Sequence, residues 1–557
     1  MYSDYLVLGG AGLVGLQVCR HIAKHLKPRR VICASLTQGE SMTACQTLAK
    51  EFGGQVSFVA AWGNLFVPTA LAHQTRGAIM ADSEKRTFLL EALYDGFDEA
   101  YTDNHLVRMI QTHRPDVIVD CVNTATGLSY QDIFDGAAKV RERITEGGMG
   151  PDGIPDLEAF LLSQSVPQII RHVRFVYRAT TEYSTSVYLK VGTTGTGGMG
   201  LNIPYTHSED KPSRKLLAKN EAAFGHTGLM FLFARTPGAP IVKELKPAAM
   251  IGYRAVKVRL AHDKHGNSNL FKAKEISLNQ SSLSLREDEE TYEQIGALEV
   301  PVVDTGENGV FTRGEFAAIT ALGQMEYITP EEIARVVVLE IRGANTGHDC
   351  ISAMDGAVLN PSYKAGLLRR AALNDLDRVE GESQIPSVAL GRLGPPELSK
   401  LLFEAFLLKQ AFGSLEDVVG DDVTPTTMSD RLVGALEVSG VARTAPSIGI
   451  PVLMPDGQHI LRGPRINQPE LVGHGHTVSL EDESERNKWV AKGWIDLRPG
   501  NMKRWQDRFR TMLQARADLR ESGSAAANIH TYMDDSFEIG EVVAWIFNNE
   551  MGGYRVK

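Results

Sequence analysis

Tyr5-Leu-Val-Leu-Gly-Gly-Ala-Gly-Leu-Val-Gly15 carries a short apolar strand straight into a glycine-rich turn. Behind the turn, Val14, Val18, Ile22 and Leu26 repeat at helical spacing. A strand that ends in glycines and passes at once into a helix presents bare backbone N–H groups at a helix N-terminus. There they suit a pyrophosphate. Two glycine spacings overlap, Gly10-x-Gly12-x-x-Gly15 and Gly9-x-x-Gly12-x-x-Gly15, and both are spacings of dinucleotide turns. The residues expected to line the turn are Gly9, Gly10, Ala11, Gly12, Leu13, Val14 and Gly15.

Working outward, near-continuous apolar runs at residues 5–8, 30–34, 55–60, 116–121 and 187–191 read as parallel strands covered on both faces. Helical patterns lie between them near 87–93, near 105–112 and over 157–181, the last interrupted by Pro167. This βαβ rhythm predicts an α/β fold with a Rossmann-like, doubly wound parallel sheet. A sixth strand is expected at 229–233. From about residue 260 the rhythm changes to a large α+β C-terminal extension. The expected domains are 1–260, 261–430 and 431–557. Within the extension, Thr329-Pro-Glu-Glu332 has the composition of a capped helix start. Pro455-Asp-Gly-Gln458 reads as a hairpin turn, and a helical pattern spans 398–412.

The chain has 557 residues, 43% of them hydrophobic and 23% charged, the balance of a globular protein of two or three domains. Its net charge of −10 gives no electrostatic case for nucleic acid or an anionic membrane as partner. Five cysteines (Cys19, Cys33, Cys45, Cys121, Cys350) without paired spacing read as buried thiols of a reducing compartment. No apolar run is long enough to span a bilayer and no signal-peptide pattern opens the chain. The expectation is a cytoplasmic protein acting on a small molecule.

The end of the second strand decides the cofactor. About 20 residues past the glycines, an acid would grip ribose hydroxyls. Here the segment reads Cys33-Ala-Ser-Leu-Thr-Gln-Gly39, with no acid before Glu40. Ser35 and Thr37 are the polar side chains available to a ribose hydroxyl or a 2′-phosphate. The missing carboxylate favours NADP over NAD.

Together these pieces resemble the extended short-chain dehydrogenase/reductase family, which includes NAD-dependent epimerases and dehydratases. The resemblance covers roughly residues 1–240. Trp62-Gly-Asn-Leu65 resembles the family's Gly-Asp-Leu beside the adenine, which implicates Asn64 and Leu65, with Asn64 in place of the acid. His113-Arg-Pro-Asp-Val-Ile-Val-Asp-Cys-Val-Asn-Thr-Ala125 resembles the fourth strand and its small-residue turn, which implicates Asn123 and Thr124. Gly192-Thr-Thr-Gly195 stands where the family carries a hydroxyl that orients the substrate oxygen, a role the resemblance gives to Thr193 or Thr194. Pro212-Ser-Arg-Lys-Leu-Leu-Ala-Lys-Asn-Glu221 matches the surroundings of the family's Tyr-x-x-x-Lys. Lys219 takes the position of the ribose-binding lysine, but Lys215 stands where the tyrosine belongs. The proton donor is then either Lys215, if burial or the neighbouring ammonium lowers its pKa, or Tyr205 from the loop just upstream. His207 and Glu209 share that loop and read as structural. Tyr188 and Lys190, two apart in the fifth strand, are too close for the family motif and read as residues serving the sheet.

The expected function is an NAD(P)-dependent oxidoreductase or epimerase/dehydratase acting on a hydroxyl or ketone of a polar metabolite. The competing reading is a dinucleotide-binding protein without turnover, a redox sensor or assembly factor on a reductase scaffold. Family analogy implies a homo-oligomer. Gly473-His-Gly-His476 and His348 are not taken as a metal site or a base, and no metal is expected.

Overall fold

β1 (Asp4–Leu8) is buried along its whole length, as a central strand covered on both faces must be. It leads through the glycine turn to α1 (Leu13–Leu26), whose buried Gly15, Val18, Cys19, Ile22, Ala23 and Leu26 fall on one stripe. The structure is a computed structural model. It describes residues 2–123, 133–145, 150–192, 214–247, 250–262, 268–306, 309–321, 324, 327–344, 346–353, 358–359, 363–393, 395–467, 477–480, 482–523, 527 and 530–550.

The alternation continues through β2 (Arg30–Ser35), α2 (Gln38–Phe52), β3 (Ser57–Trp62), α3 (His105–His113) and β4 (Val117–Asp120). Then come α4 (Ser165–Glu182), β5 (Val187–Val191), α5 (Arg214–Ala234) and β6 (Ile241–Pro247). The sheet order is β6-β5-β4-β1-β2-β3, and every pairing is parallel. A short strand, Val358–Leu359, adds in parallel to β6. The order reverses between β1 and β4, the switch point where open α/β sheets bind ligands beyond the strand C-termini.

Each face of the sheet has its own core. Tyr5, Val7, Val31, Val119 and Leu189 pack on one side with Val18 and Ile22 of α1. Leu6, Leu8, Ile32 and Ile118 pack on the other, with Ile110 of α3, Val176 of α4 and Met230 of α5. The first face is completed from far along the sequence. α6 (Pro330–Ile341) lays Ile333, Val337 and Ile341 into the same cluster as α1. Its start is capped as Thr329-Pro-Glu-Glu332 predicts: the Thr329 hydroxyl accepts from the Glu332 N–H at 3.2 Å, and the Glu332 carboxylate accepts from the Thr329 N–H at 3.1 Å. Arg29 and Arg30 pair with Asp4 at the N-terminal edge of the sheet, opposite the glycine turn.

Two expectations change. Residues 229–233 are helical, not a strand. They form the last turns of α5, where Met230 and Phe233 are buried but Leu232 faces solvent, and the sixth strand is β6 at Ile241–Pro247. The helix expected over 157–181 is two, Ile154–Leu161 and α4, with Pro167 tolerated in the first turn of α4, where its missing N–H costs nothing.

By Cα packing the chain forms two units. The first holds residues 1–198, 213–252 and 327–365, and the second holds 253–326 and 366–557. The second unit has a three-stranded antiparallel sheet, Val310–Phe311, Glu299–Asp304 and Ala255–Leu260. Its four-stranded sheet contains the expected hairpin, Val452–Leu453 against His459–Arg462. Helices Pro396–Phe412, Pro425–Val438, Pro499–Ser522 and Ile539–Asn549 make up most of the rest. Inside it the buried Glu404 carboxylate accepts from Lys400 Nζ, the Trp505 indole and the Asp496 N–H, each at 2.8 Å. Among the described residues no helix is long and apolar enough to cross a membrane. Among the described residues no cysteine forms a disulfide, and the Cys19 and Cys33 sulfurs lie 3.5 Å apart in the core.

Candidate functional site

The glycine turn sits at the switch point because the β1 and β4 ends run side by side: Leu8 is in register with Asp120, and the Cys121 N–H donates to the Leu8 carbonyl at 2.9 Å. Gly9 adopts φ +74, and a Cβ there would meet the Cys121 carbonyl at 3.2 Å. Gly10 donates its N–H to Ala34 O of β2 at 2.7 Å, which ties the turn to the next strand. A Cβ on Gly15 would lie against the Gly9 carbonyl oxygen, so α1 can start this close to the strand only with glycine there. Gly12 caps α1 with no side chain on the orphan N–H groups, and the first turn of α1 carries no acid. A bare helix N-terminus without a competing anion suits a diphosphate, and the residues fit one.

At the end of β2, Ser35 Oγ donates to the Glu40 carboxylate at 2.9 Å, and Thr37 is the N-cap of α2 in a capping box with Glu40. Glu40 lies five residues beyond Ser35 in sequence, but the α2 cap folds its carboxylate back to the strand end. At the end of β3, Asn64 Oδ1 accepts from the Phe66 N–H at 3.0 Å and shapes that turn, while Leu65 is buried in the core. Asn123 follows β4 two residues beyond Cys121.

Beneath the switch point lies a polar cluster that the sequence reading passed over. Tyr188 and Lys190 point to the same face of β5, toward α4 and α5, and neither serves only the sheet. Lys190 Nζ lies 3.0 Å from Asp120 Oδ2, with both side chains 2% exposed. The Tyr188 hydroxyl donates to the same oxygen at 2.7 Å. Asp120 Oδ1 accepts from the Val122 N–H at 2.9 Å, and Lys190 also donates to the Val122 carbonyl. These contacts clamp the β4 end that borders Gly9. Burial pushes the Asp120 carboxyl up, but the Lys190 ammonium and then the Tyr188 hydroxyl outweigh it and hold the group below the usual carboxylate range. Burial, then the Asp120 charge, pushes the Tyr188 phenol up, so it stays protonated.

Two imidazoles from the covering helices complete the cluster. His172 of α4 and His226 of α5 have ring centroids 6.2 Å apart, and the Nε2 of each is buried with no hydrogen-bond partner among the described residues. Burial lowers both pKa values, His172 to about 4, so both rings are neutral at pH 7. On β6, burial raises the pKa of Glu244, whose Oε1 lies 3.8 Å from Lys246 Nζ. The signal for this cluster was in the sequence: polar residues two apart, Tyr188 and Lys190 or Glu244 and Lys246, inside strands covered on both faces.

Lys219 is half-buried near the start of α5, on the stripe it shares with the buried Ala222, Ala223 and His226. Lys215 lies one turn earlier on the same helix, and its side chain is outside the described residues. Thr124, Thr193, Thr194 and Tyr205 lie outside the described residues, as do His207, Glu209 and residues 473–476. Among the described residues no group of three or more His, Cys, Asp or Glu is placed to hold a metal ion.

Fold and turn together define a Rossmann-like α/β protein with a dinucleotide-type glycine turn at its switch point. The model of the beta-methylindole-3-pyruvate reductase C-terminal domain family matches residues 268–551, just over half of the 557-residue chain, and the chain belongs to this family. Similar solved structures include a short-chain dehydrogenase from Sphingobium yanoikuyae in complex with NADPH (12% identity, 44% of this chain and 71% of that one, TM-score 0.24). Another is an alcohol dehydrogenase from the archaeon Thermococcus sibiricus complexed with 5-hydroxy-NADP (11% identity, 65% and 97%, TM-score 0.29). A third is the bulky-bulky ketone specific alcohol dehydrogenase from Comamonas testosteroni (10% identity, 44% and 72%, TM-score 0.25). No curated protein matches the chain.

Proposed function

We propose that this protein is a nicotinamide-dinucleotide-dependent reductase that converts the ketone of an aromatic 2-oxo acid to the 2-hydroxy acid. The observation that carries the reading is the turn from Gly9 to Gly15 at the switch point, where a Cβ on Gly15 would strike the Gly9 carbonyl. The substrate class follows the printed name of the family, whose reductase takes an indolyl pyruvate. A bound nicotinamide supplies the hydride that adds to the carbonyl carbon. The chain supplies the rest. The N–H groups at the start of α1 hold the diphosphate. Lys219 holds the nicotinamide ribose, Thr193 or Thr194 orients the substrate oxygen, and Tyr205 or Lys215 delivers a proton to it. The Asp120–Lys190 pair positions the β4 end that borders Gly9.

For the cofactor, the preference for NADP rested on a missing acid at the β2 end. Glu40, held there by Ser35, puts a carboxylate in that place. It suits ribose hydroxyls and repels a 2′-phosphate, which turns the reading to NAD.

The test is calorimetric titration with NADH and NADPH, then absorbance decay with phenylpyruvate and indole-3-pyruvate as substrates. NADH is expected to bind more tightly than NADPH, Glu40→Gln to narrow the gap, and Gly15→Ala to weaken both at least tenfold. Absence of heat with either nucleotide overturns the proposal. Binding without turnover on any 2-oxo acid leaves the non-catalytic reading in its place.

A further inference from the structure

Three buried polar atoms without partners gather in the cluster around Asp120 and Lys190. They are His172 Nε2, His226 Nε2 and Glu244 Oε2, on residues 6%, 4% and 1% exposed, and no described residue hydrogen-bonds to them. A buried polar atom left unpaired is costly, and an internal water is the usual remedy. Three such atoms in one cluster point to more than one water.

The three groups follow one another inward. His172 lines a partly enclosed cavity between the turn after β3 and α4, with about 70 Å³ of free space. That space takes two or three waters at roughly 30 Å³ each. Asn64 and Gln168 line the cavity with His172 and give it polar walls. His226 comes next. Ring centroids 6.2 Å apart keep the two imidazoles beyond direct hydrogen-bond reach, across a gap that one water can span. Glu244 is the third. The hydroxyl of Thr227, the residue after His226, lies in hydrogen-bond contact with its carboxyl. Strand register sets Leu8, Asp120, Lys190 and Glu244 in one row, so Glu244 stands level with the last residue before the Gly9 turn. A Cβ on Gly192, at the end of β5, would strike Glu244 Oε1.

We propose that a file of internal water runs from this cavity past His172 and His226 to Glu244, and that it carries to the strand ends the proton each reduction consumes. Reduction of a ketone takes a hydride at carbon and one proton at oxygen. For each proton that leaves Glu244, one enters from solvent at the cavity, and no charge accumulates. The side chains suit the task. A neutral imidazole takes a proton on one nitrogen and releases one from the other, and a carboxyl does the same with its two oxygens. The three residues act through the group that delivers the proton and do not touch the substrate. The proton's use rests on the reductase reading; the water file does not.

A crystal structure of the full-length chain without nucleotide, at a resolution that shows water, should place ordered waters within hydrogen-bond distance of all three atoms. A dry gap between His226 and Glu244 overturns the proposal. In protein labelled with 15N-histidine, the ring N–H protons of His172 and His226 should exchange with solvent far faster than the chain unfolds. Exchange of His226 at the unfolding rate overturns the proposal too. Neither measurement needs turnover, so a protein that holds the waters and reduces no 2-oxo acid fails the reductase reading and keeps the file. With NADH and phenylpyruvate, Glu244→Gln, isosteric but unable to pass a proton, should lower kcat at least tenfold at unchanged KM. It should also raise the solvent deuterium isotope effect on kcat, which a merely structural carboxyl would leave alone. A Glu244→Gln protein with the original kcat and isotope effect overturns the proton role.

Discussion

His172 and His226 stand in a compartment where a proton is costly, beside Lys190 and under two helices. For a histidine whose folded pKa lies below the unfolded value, the unfolded chain takes up the proton first. The stability it contributes is complete above the ordinary pKa of 6.5 and is lost as the pH falls toward the folded value, about 4 for His172. Glu244, with its pKa raised by burial, runs the other way and favours the folded chain on acidification. The two effects separate by substitution. From pH 7 to 5, His172 alone should remove about 2 kcal/mol. His172→Phe, close in shape and unable to charge, should flatten the fall in stability by that amount in denaturant melts at pH 7 and pH 5. An identical fall in both proteins would mean that the ring is not held neutral. Residue-scale roles were only partly legible. Gly9, Gly10 and Gly15 could be assigned because glycine spacing reports on backbone geometry directly. The Asp120–Tyr188–Lys190 contacts could not, because they join residues 68 apart in the chain, and only strand register shows that they meet.

The elements divide by how local their causes are. α6 was readable at its first turn because Thr329, Pro330 and Glu332 carry the cap themselves. Thr329→Ala should cost about 1 kcal/mol of stability, seen as a lower denaturation midpoint and faster amide exchange in the first turn of α6. An unshifted midpoint would show that packing on α1, not the cap, fixes the helix start. The run Leu229-Met-Phe-Leu-Phe233 misled for the opposite reason. Five apolar residues in a row fit a buried strand or a helix end equally, and length decides only when the helix upstream is recognised. The true β6 carries Lys243, Glu244 and Lys246 and so lacks the continuous apolar run of its neighbours.

At the scale of the molecule, the family-matched span 268–551 contains residues 327–365, which pack into the first unit and not the second. A reading along the chain places boundaries in order and has no means of showing such a return. A polypeptide ended at residue 260, where the sequence suggests a boundary, would lack α6 and leave the outer side of α1 without Ile333, Val337 and Ile341. That fragment should bind the dye ANS strongly and aggregate, while the full chain does neither. A monodisperse, dye-silent fragment would show that α6 is dispensable to the first unit.

The late arrival of α6 also sets a schedule for biosynthesis. About 300 residues separate the end of α1 from the start of α6, and a ribosome needs roughly 15 to 60 s to add them. Through that interval the nascent sheet stands half-clothed, a client for whatever chaperone meets it at the exit tunnel, and the nucleotide-binding turn is made long before the layer behind it can close.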